Sequence, residues 1–391
     1  MAEGRKIIKR QKLNKLKLDF SNVDFVFLFI VFLLLSFGLI MLLSASTPAA
    51  NTKMHDSYYF FVRQLSGVAI GILMMLFFMM LDYHILKKYI KMTMVIGIIA
   101  LIICRIPGIG AMRNGAWRWI KTPGIQLQPS EFMKPIIAIC FASMASDKHY
   151  RLTGFHTWRE DIMAMMPYII ILGLIFGIML ILQSHASGAI VICGIGVVIM
   201  LAAGAKIKYF LIAGAAAIPV GLILIKNDPM RMGRILSFLD PFRDTSDKSY
   251  QIVQSLIAIG SGGLFGRGLG QSVQKYAFLP EPYNDFIFSV VCEELGFLGA
   301  IVIIALFVFL VIRGLKIATE APDTFGMLTA LGIMSHIAIQ TLFNISVVCS
   351  AIPTTGISLP FFSFGGTAIM VLLGELGIVL NISRQSTRLK K

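Results

Sequence analysis

Residues Val23–Ser46 form an apolar run with a single charged side chain, Asp24, and their sequence is VDFVFLFIVFLLLSFGLIMLLSAS. The hydrocarbon core of a bilayer is about 30 Å thick, so a helix of about 20 apolar residues can cross it. This run is long enough to do so. It therefore predicts a membrane-spanning helix.

Further runs of similar character follow along the chain, and with the first they make ten predicted spans: Val23–Ser46, Phe61–Leu81, Tyr89–Ile106, Glu131–Ser146, Ala164–Leu182, Ser187–Ala205, Lys208–Ile225, Asp285–Ile312, Phe325–Cys349 and Phe362–Ile382. Of the 391 residues, 57% are hydrophobic and 14% are charged. In a soluble domain about 45–50% of the residues are hydrophobic and about 25% are charged. This composition excludes a water-soluble enzyme, a disordered protein and a secreted disulfide scaffold. We predict an all-α polytopic membrane protein with about ten transmembrane helices.

The basic residues predict the orientation of these spans. The chain has 35 Lys and Arg against 20 Asp and Glu, a formal net charge of +15. More than half of the basic residues lie on the cytoplasmic side if both termini are cytoplasmic, as the positive-inside rule requires. The excess positive charge is then explained by the orientation of the spans and by binding of anionic lipids, rather than by binding of nucleic acid.

The chain divides into three predicted segments. Residues 1–22 form a basic cytoplasmic segment, residues 23–382 the ten-span domain, and residues 383–391 a basic cytoplasmic tail. For the first segment, an amphipathic helix on the membrane surface and a disordered basic tail are both open.

One large loop, residues 226–285, lies between spans seven and eight on the outer face. Within it, Tyr250–Ile259 is semi-apolar but too short to span, which predicts an interfacial or re-entrant helix. The glycine-rich stretch Gly260–Gly270 around Arg267 has two interpretations. Its N–H groups could cradle a phosphate, or its glycines could simply permit tight turns.

Several ionisable residues stand in or beside the apolar runs. Asp285 could cap the eighth span, or its carboxylate could accept a proton from a sugar hydroxyl. Glu293 and Glu294 follow inside that span, where a charge usually faces a cavity or a partner. Glu131 and Lys134 are three residues apart on one helix face and can pair.

Three long strings carry a family resemblance: residues 114–120 with 128–134, residues 266–296, and residues 353–367. Together they resemble the SEDS family (shape, elongation, division and sporulation) of bacterial membrane proteins. Residues Pro282-Tyr283-Asn284-Asp285 resemble the FtsW/SpoVE division and sporulation branch, whereas the RodA elongation branch favours a His-Thr-Asp form. Phe364 and Ser350 depart from the usual Tyr and Gly of the family.

The resemblance implies an inverting peptidoglycan glycosyltransferase that polymerises lipid II into glycan strands at the outer face of the cytoplasmic membrane, for septal wall synthesis. The family's essential loop aspartate falls on Asp285, the candidate catalytic base. The candidate substrate-binding residues are Lys275, Arg267 and Arg243, which would face the leaving diphosphate, and Glu131, Lys134 and Arg118, which would line a cavity between spans.

The resemblance also implies cofactors and partners. A divalent cation, Mg²⁺ or Mn²⁺, would assist, with no organic cofactor. The partners would be lipid II, a class B penicillin-binding protein, divisome membrane proteins and membrane lipids. Three alternatives stay open: a lipid II flippase or transporter, a RodA-type elongation polymerase, and a divisome scaffold without activity.

Overall fold

The computed structural model describes residues 23–113, 115–121, 127–150, 152–154, 157–226, 229–242, 247–276 and 278–386. Within them it has twelve α-helices and one β-hairpin. The helices are α1 Phe25–Met54, α2 Tyr59–Met80, α3 His84–Ile103, α4 Pro129–Ala145, α5 Trp158–Ile181, α6 Ala186–Ala202, α7 Ile207–Lys226, α8 Pro229–Leu239, α9 Asp247–Ser261, α10 Ile287–Thr319, α11 Thr324–Val348 and α12 Gly366–Arg384. The basic N-terminal segment, residues 1–22, lies outside the described residues.

The helix bounds confirm the predicted all-α membrane fold. Each of the ten predicted spans overlaps one helix, namely α1 to α7 and α10 to α12. Six of them, α1, α2, α5, α10, α11 and α12, are each long and apolar enough to cross a membrane alone. Helix α4 is shorter, at 17 residues, and carries Glu131 and Lys134 on a face buried within the protein.

The eighth span begins later than predicted. Helix α10 starts at Ile287 with Phe286 at its N-cap position, and no side chain caps it. The interpretation of Asp285 as the cap of this span is therefore wrong. The helix extends to Thr319, seven residues beyond the predicted end.

Helices α2 and α12 pack backbone to backbone beside the site. A Cβ atom on Gly67 would lie only 2.9 Å from the Cα atom of Gly366. At the same seam, the side chain of Gln64 bonds the chain that precedes α12. Its Oε1 accepts from the Gly365 N–H at 3.0 Å, and its Nε2 donates to the Ser363 carbonyl at 3.3 Å. Gln64 thus holds residues 363–365, and the close approach leaves no space for a larger side chain at Gly67.

Helix α10 is interrupted at Gly296, whose φ of 68° leaves the helical region. The glycine-rich stretch of the loop closes this break with four backbone hydrogen bonds: Arg267 N–H to Glu293 O at 2.9 Å, Gly268 N–H to Glu294 O at 3.0 Å, Phe297 N–H to Gly263 O at 2.9 Å and Leu298 N–H to Leu264 O at 3.1 Å. The N–H groups of Arg267 and Gly268 are used in these bonds and cannot also bind a phosphate. The glycines permit the close backbone approach, as the second interpretation expects. That the rest of the stretch cradles a phosphate stays a prediction.

Two short elements in the outer loops position residues of the site. Strands β1 Gly110–Arg113 and β2 Ala116–Ile120 form an antiparallel hairpin that carries Arg118. In the large loop, α9 confirms the predicted short helix, which is longer than Tyr250–Ile259. Its Ser255 donates to the carbonyl of Val348 at 2.8 Å and so joins α9 to the end of α11.

Candidate active site

A cavity of about 520 Å³ opens on the outer side between α2, α4, α6, α11 and the chain segments that precede α10 and α12. Its polar lining residues are Tyr59, Arg63, Ser66, Arg118, Trp119, Gln128, Glu131, Lys134, His185, Glu281, Tyr283, Asn284, Asp285, Gln340, Ser358 and Thr367. Four of the predicted site residues, Asp285, Arg118, Glu131 and Lys134, therefore meet in one place. They come from separate parts of the sequence.

Buried hydrogen bonds to the backbone hold Asp285 in the cavity wall. The Nδ2 atom of Asn344 donates to the carbonyls of Asp285 and Ile357, each at 2.7 Å. The adjacent Gly356 has a φ of 72°, and a Cβ atom there would lie 3.3 Å from the Asp285 carboxylate. The hydrogen bond to the carbonyl thus fixes the backbone of Asp285. The carboxylate takes no part in that bond and can act in the cavity.

The surroundings of the Asp285 carboxylate tune its acidity. Burial, with the nearby Glu281 carboxylate, raises the pKa of Asp285 from 3.8 to about 6, while Arg118 and Arg234 oppose the shift. Burial disfavours the charged carboxylate, and a neighbouring cation favours it. The result is a carboxylate that is ionised at neutral pH yet binds a proton far more readily than an exposed aspartate.

Two arginines, Arg118 and Arg234, act on the same carboxylate, and a third, Arg63, lines the cavity. The guanidinium of Arg118 donates to the carbonyl of Ser184 at 3.2 Å, and its Nε has no hydrogen-bond partner among the described residues. Arg234 on α8 donates to the carbonyl of Thr354 at 3.2 Å. Arg63 on α2 lies over the ring of Tyr59, 4.8 Å from its centroid. These arginines could bind an anion placed beside Asp285.

The predicted pair of Glu131 and Lys134 is confirmed. The Lys134 ammonium lies 2.7 Å from the Glu131 carboxylate, and both side chains are buried. The ammonium also donates to Gln340 Oε1 at 2.9 Å. Both residues line the cavity, so the pair can contact a ligand in addition to its structural role.

The three other predicted cations are placed differently. Lys275 does not line the cavity; it is buried and donates to Glu294 at 2.7 Å, to Ser44 at 2.9 Å and to the carbonyl of Gly270 at 2.8 Å. Arg267 also lies away from the cavity lining, partly exposed and 3.8 Å from the Glu293 carboxylate. Arg243 lies outside the described residues. That these three bind the diphosphate stays a prediction.

Both intramembrane glutamates have partners, as expected for charges within a span. Glu294 accepts from Lys275 and from Ser44 Oγ, the latter at 2.7 Å. Glu293 accepts from Ser272 Oγ at 2.5 Å and from the Val273 N–H at 3.0 Å. These contacts tie α10 to α1 and to residues 272–275 of the loop.

Sequence reasoning missed four residues of this site. Arg63 and Gln340 lie within predicted spans, Arg234 lies in the outer loop, and His185 lies at the start of α6. For Gln340 a signal existed, because His336, Gln340 and Asn344 recur every four residues and must share one face of α11. For Arg63 and His185 only the fold shows that the side chains line the cavity, and for Arg234 only the fold shows that it acts on Asp285.

Comparisons with known proteins agree with this architecture. The family model described as cell cycle protein, FTSW_RODA_SPOVE, matches residues 25–388. The chain belongs to the FtsW/RodA/SpoVE family. A relative in this family, stage V sporulation protein E of Bacillus subtilis (strain 168), is 42% identical over 354 residues, which cover 90% of this chain and 94% of the relative. The probable peptidoglycan glycosyltransferase FtsW of Geobacter sp. (strain M18) is 38% identical over 347 residues, or 89% and 93% of the two chains.

Solved structures share the FtsW/RodA/SpoVE fold with this chain. One, described as "Structural coordination of polymerization and crosslinking by a peptidoglycan synthase complex", superposes with a TM-score of 0.76 at 25% identity, covering 94% of this chain and 99% of that one. The rod shape determining protein RodA of Thermus thermophilus superposes with a TM-score of 0.67 at 22% identity, covering 94% and 99%. The chain is a multi-pass membrane protein of this family.

Proposed function

We propose that this protein is a peptidoglycan glycosyltransferase that polymerises lipid II into glycan strands at the outer face of the cytoplasmic membrane. One observation carries the proposal: Asp285, with a pKa raised to about 6, lies in a cavity on the outer side. A general base works best when its pKa is close to the operating pH. The names of the FtsW relatives support the same activity.

In the proposed reaction, Asp285 is the catalytic base. Its carboxylate takes the proton from the attacking sugar hydroxyl while the hydroxyl oxygen forms a bond to the anomeric carbon of the second sugar. The bond from that carbon to the lipid diphosphate breaks, and the configuration is inverted. Asp285 then releases its proton to water, which restores the carboxylate.

Cations in the cavity wall, with Arg234 outside the lining, would stabilise the leaving group. Negative charge grows on the diphosphate as its bond to the sugar breaks, and fixed donors aimed at that charge lower the barrier. Arg118 and Arg234 both act on the Asp285 carboxylate, so they lie close to the reacting atoms. Lys134 keeps an N–H beyond its bonds to Glu131 and Gln340, which allows it to bind substrate.

A divalent cation fits this site only if the substrate supplies part of its coordination. The described residues contain no group of three or more His, Cys, Asp or Glu side chains that could hold a metal. Mg²⁺ is commonly held by one or two carboxylates together with substrate phosphates. Asp285 and Glu281 would be those carboxylates, and the cation would supply positive charge for the leaving diphosphate.

We also propose a setting and a partner. The FtsW and stage V sporulation names support septal or sporulation wall synthesis, with divisome membrane proteins as neighbours. The matched peptidoglycan synthase complex coordinates polymerization with crosslinking, which supports assembly of this chain with a class B penicillin-binding protein.

Polymerisation of labelled lipid II by the purified protein tests the proposal. The assay is run with and without a class B penicillin-binding protein whose transpeptidase serine is replaced, in Mg²⁺, Mn²⁺ or EDTA. We expect long glycan strands from the wild type and none from Asp285→Asn. The matched control is Asp56→Asn, which removes an exposed carboxylate of the outer face that does not line the cavity.

Two outcomes would contradict the proposal. Strands of normal length from a folded Asp285→Asn protein would remove Asp285 as the base. No strands from the folded wild-type complex, together with movement of lipid II across proteoliposome membranes, would favour transport instead.

A further inference from the structure

A buried pair beneath the cavity has no role in the proposed reaction. His336 on α11 is 4% exposed and Glu375 on α12 is 2% exposed, and neither lines the cavity. The Nδ1 atom of His336 lies 2.8 Å from Glu375 Oε2, and its Nε2 atom lies 2.7 Å from Gln340 Oε1. Gln340 does line the cavity, one helical turn above His336. The pair is therefore one side chain away from the substrate site.

Two neighbours determine the orientation of the Gln340 amide. The Lys134 ammonium, which can only donate, lies 2.9 Å from Oε1. The Ser358 carbonyl, which can only accept, lies 2.9 Å from Nε2. Reversing the amide would set donor against donor at Lys134 and acceptor against acceptor at Ser358. The oxygen of Gln340 must therefore face Lys134 and His336.

This orientation in turn determines the hydrogen atoms of His336. Because Gln340 Oε1 can only accept, the facing Nε2 of His336 must carry a hydrogen. The other ring nitrogen faces a carboxyl oxygen of Glu375, and such a contact needs one proton, on either atom. In both forms the pair holds one shared proton and has no net charge.

We propose that His336 and Glu375 are positioning residues for the substrate site. Their shared proton ties Nδ1 of His336 to Glu375 and so keeps the ring in place, with its Nε2–H donating to Gln340 Oε1. Gln340 in turn contacts Lys134 in the cavity wall and the Ser358 segment. Without Glu375, the Nδ1 atom has no partner and the ring is held by Gln340 alone, so it can turn away. Gln340 then loses one of the contacts that fix its amide, and Lys134 and the Ser358 segment are held less firmly.

The test compares two substitutions of one residue, and it rests on the proposed function because the ligand is lipid II. Glu375→Leu removes the partner of Nδ1, whereas Glu375→Gln offers an amide N–H to it. We expect the KM for lipid II to rise about tenfold in Glu375→Leu with kcat little changed, because a misplaced Lys134 weakens ground and transition states alike. We expect Glu375→Gln to stay close to wild type.

The matched control is Asn381→Leu on the same helix. Asn381 is fully buried and donates to the carbonyl of Met79 at 2.6 Å, nearly two turns from Glu375 and outside the cavity lining. Its loss should lower stability without changing the KM. Should Glu375→Leu fail to fold, His336→Leu/Glu375→Leu replaces the whole pair with apolar side chains, which proteins often tolerate. This double variant should show the same rise in KM.

Binding of fluorescent lipid II to the same variants separates this inference from the proposed function. A wild type that binds lipid II but makes no glycan overturns the proposed function, while a tenfold weaker dissociation constant for Glu375→Leu still supports the positioning role. Unchanged KM and dissociation constant in folded Glu375→Leu overturn the inference. A defect in Glu375→Gln as large as that in Glu375→Leu also overturns it.

Discussion

The buried ion pair between Lys275 and Glu294 offers the sharpest test of how the outer loop is held. The Lys275 side chain is 3% exposed and that of Glu294 is 0% exposed, with 2.7 Å between ammonium and carboxylate. Removing one partner of such a pair leaves an uncompensated buried charge, which costs about 3–5 kcal/mol. We therefore expect Lys275→Met to lower the melting temperature in detergent by roughly 5–10 °C.

Removing both charges separates a structural role from substrate binding. In Lys275→Met/Glu294→Gln no charge is left unpaired, and the amide oxygen of Gln can still accept from Ser44. We expect the double variant to regain most of the lost melting temperature and most of the polymerisation rate. Arg267→Met is the matched control, since this partly exposed cation of the same loop contributes less than about 1 kcal/mol.

Either of two results would refute this reasoning. A single Lys275→Met variant that melts with the wild type would show that the pair is not buried as described. A double variant that is stable but makes no glycan would show that Lys275 contacts the substrate, as the family resemblance implied.

Four further predictions follow from the site and the helix break. The raised pKa of Asp285 adds stability that is complete below pH 3.8 and is lost as the pH rises through about 6, so Asp285→Asn should melt higher than wild type at pH 7.5 and no higher at pH 4. Glycan synthesis should fall about tenfold per pH unit below about 6, and a flat pH profile would contradict Asp285 as the base. Gly296→Ala would place a Cβ atom against the backbone of Gly266 and should lower the melting temperature, whereas Gly173→Ala, with open space in α5, should not. Asn344→Leu releases the carbonyls of Asp285 and Ile357 and should lower kcat about tenfold; a change in KM alone would count against it.

The sequence predicts the spans well because each depends on its own composition. All ten predicted spans overlap helices. In the membrane, the backbone N–H and C=O groups of a long apolar run must be hydrogen-bonded within the run, whatever it packs against. Boundaries are less accurate where polar residues lie inside the protein. Asp285 falls within the predicted eighth span because hydropathy cannot distinguish a residue at a cavity wall from one at a helix end.

The site was predictable only in part. The pairing of Glu131 with Lys134 follows from helical spacing, and the motif around Asp285 carries the resemblance. Lys275 and Arg234 show the limit, because both are cations of the outer loop and only the fold distinguishes them. One is enclosed by Glu294 and Ser44, while the other acts on the carboxylate of Asp285.

Two polar contacts along α1 indicate how deep its residues lie in the bilayer. At the cytoplasmic end of the helix, Asp24 pairs with Arg313 at 2.8 Å, and farther along, Ser44 bonds Glu294. The 20 residues from Asp24 to Ser44 rise about 30 Å in an α-helix, which is the thickness of the hydrocarbon layer. Glu294 and Lys275 therefore stand at the outer boundary of that layer rather than at its centre, and Asp285 lies at the level of lipid headgroups. The diphosphate of a lipid-linked substrate also lies at the headgroup level. It would therefore reach Asp285 without moving into or out of the membrane.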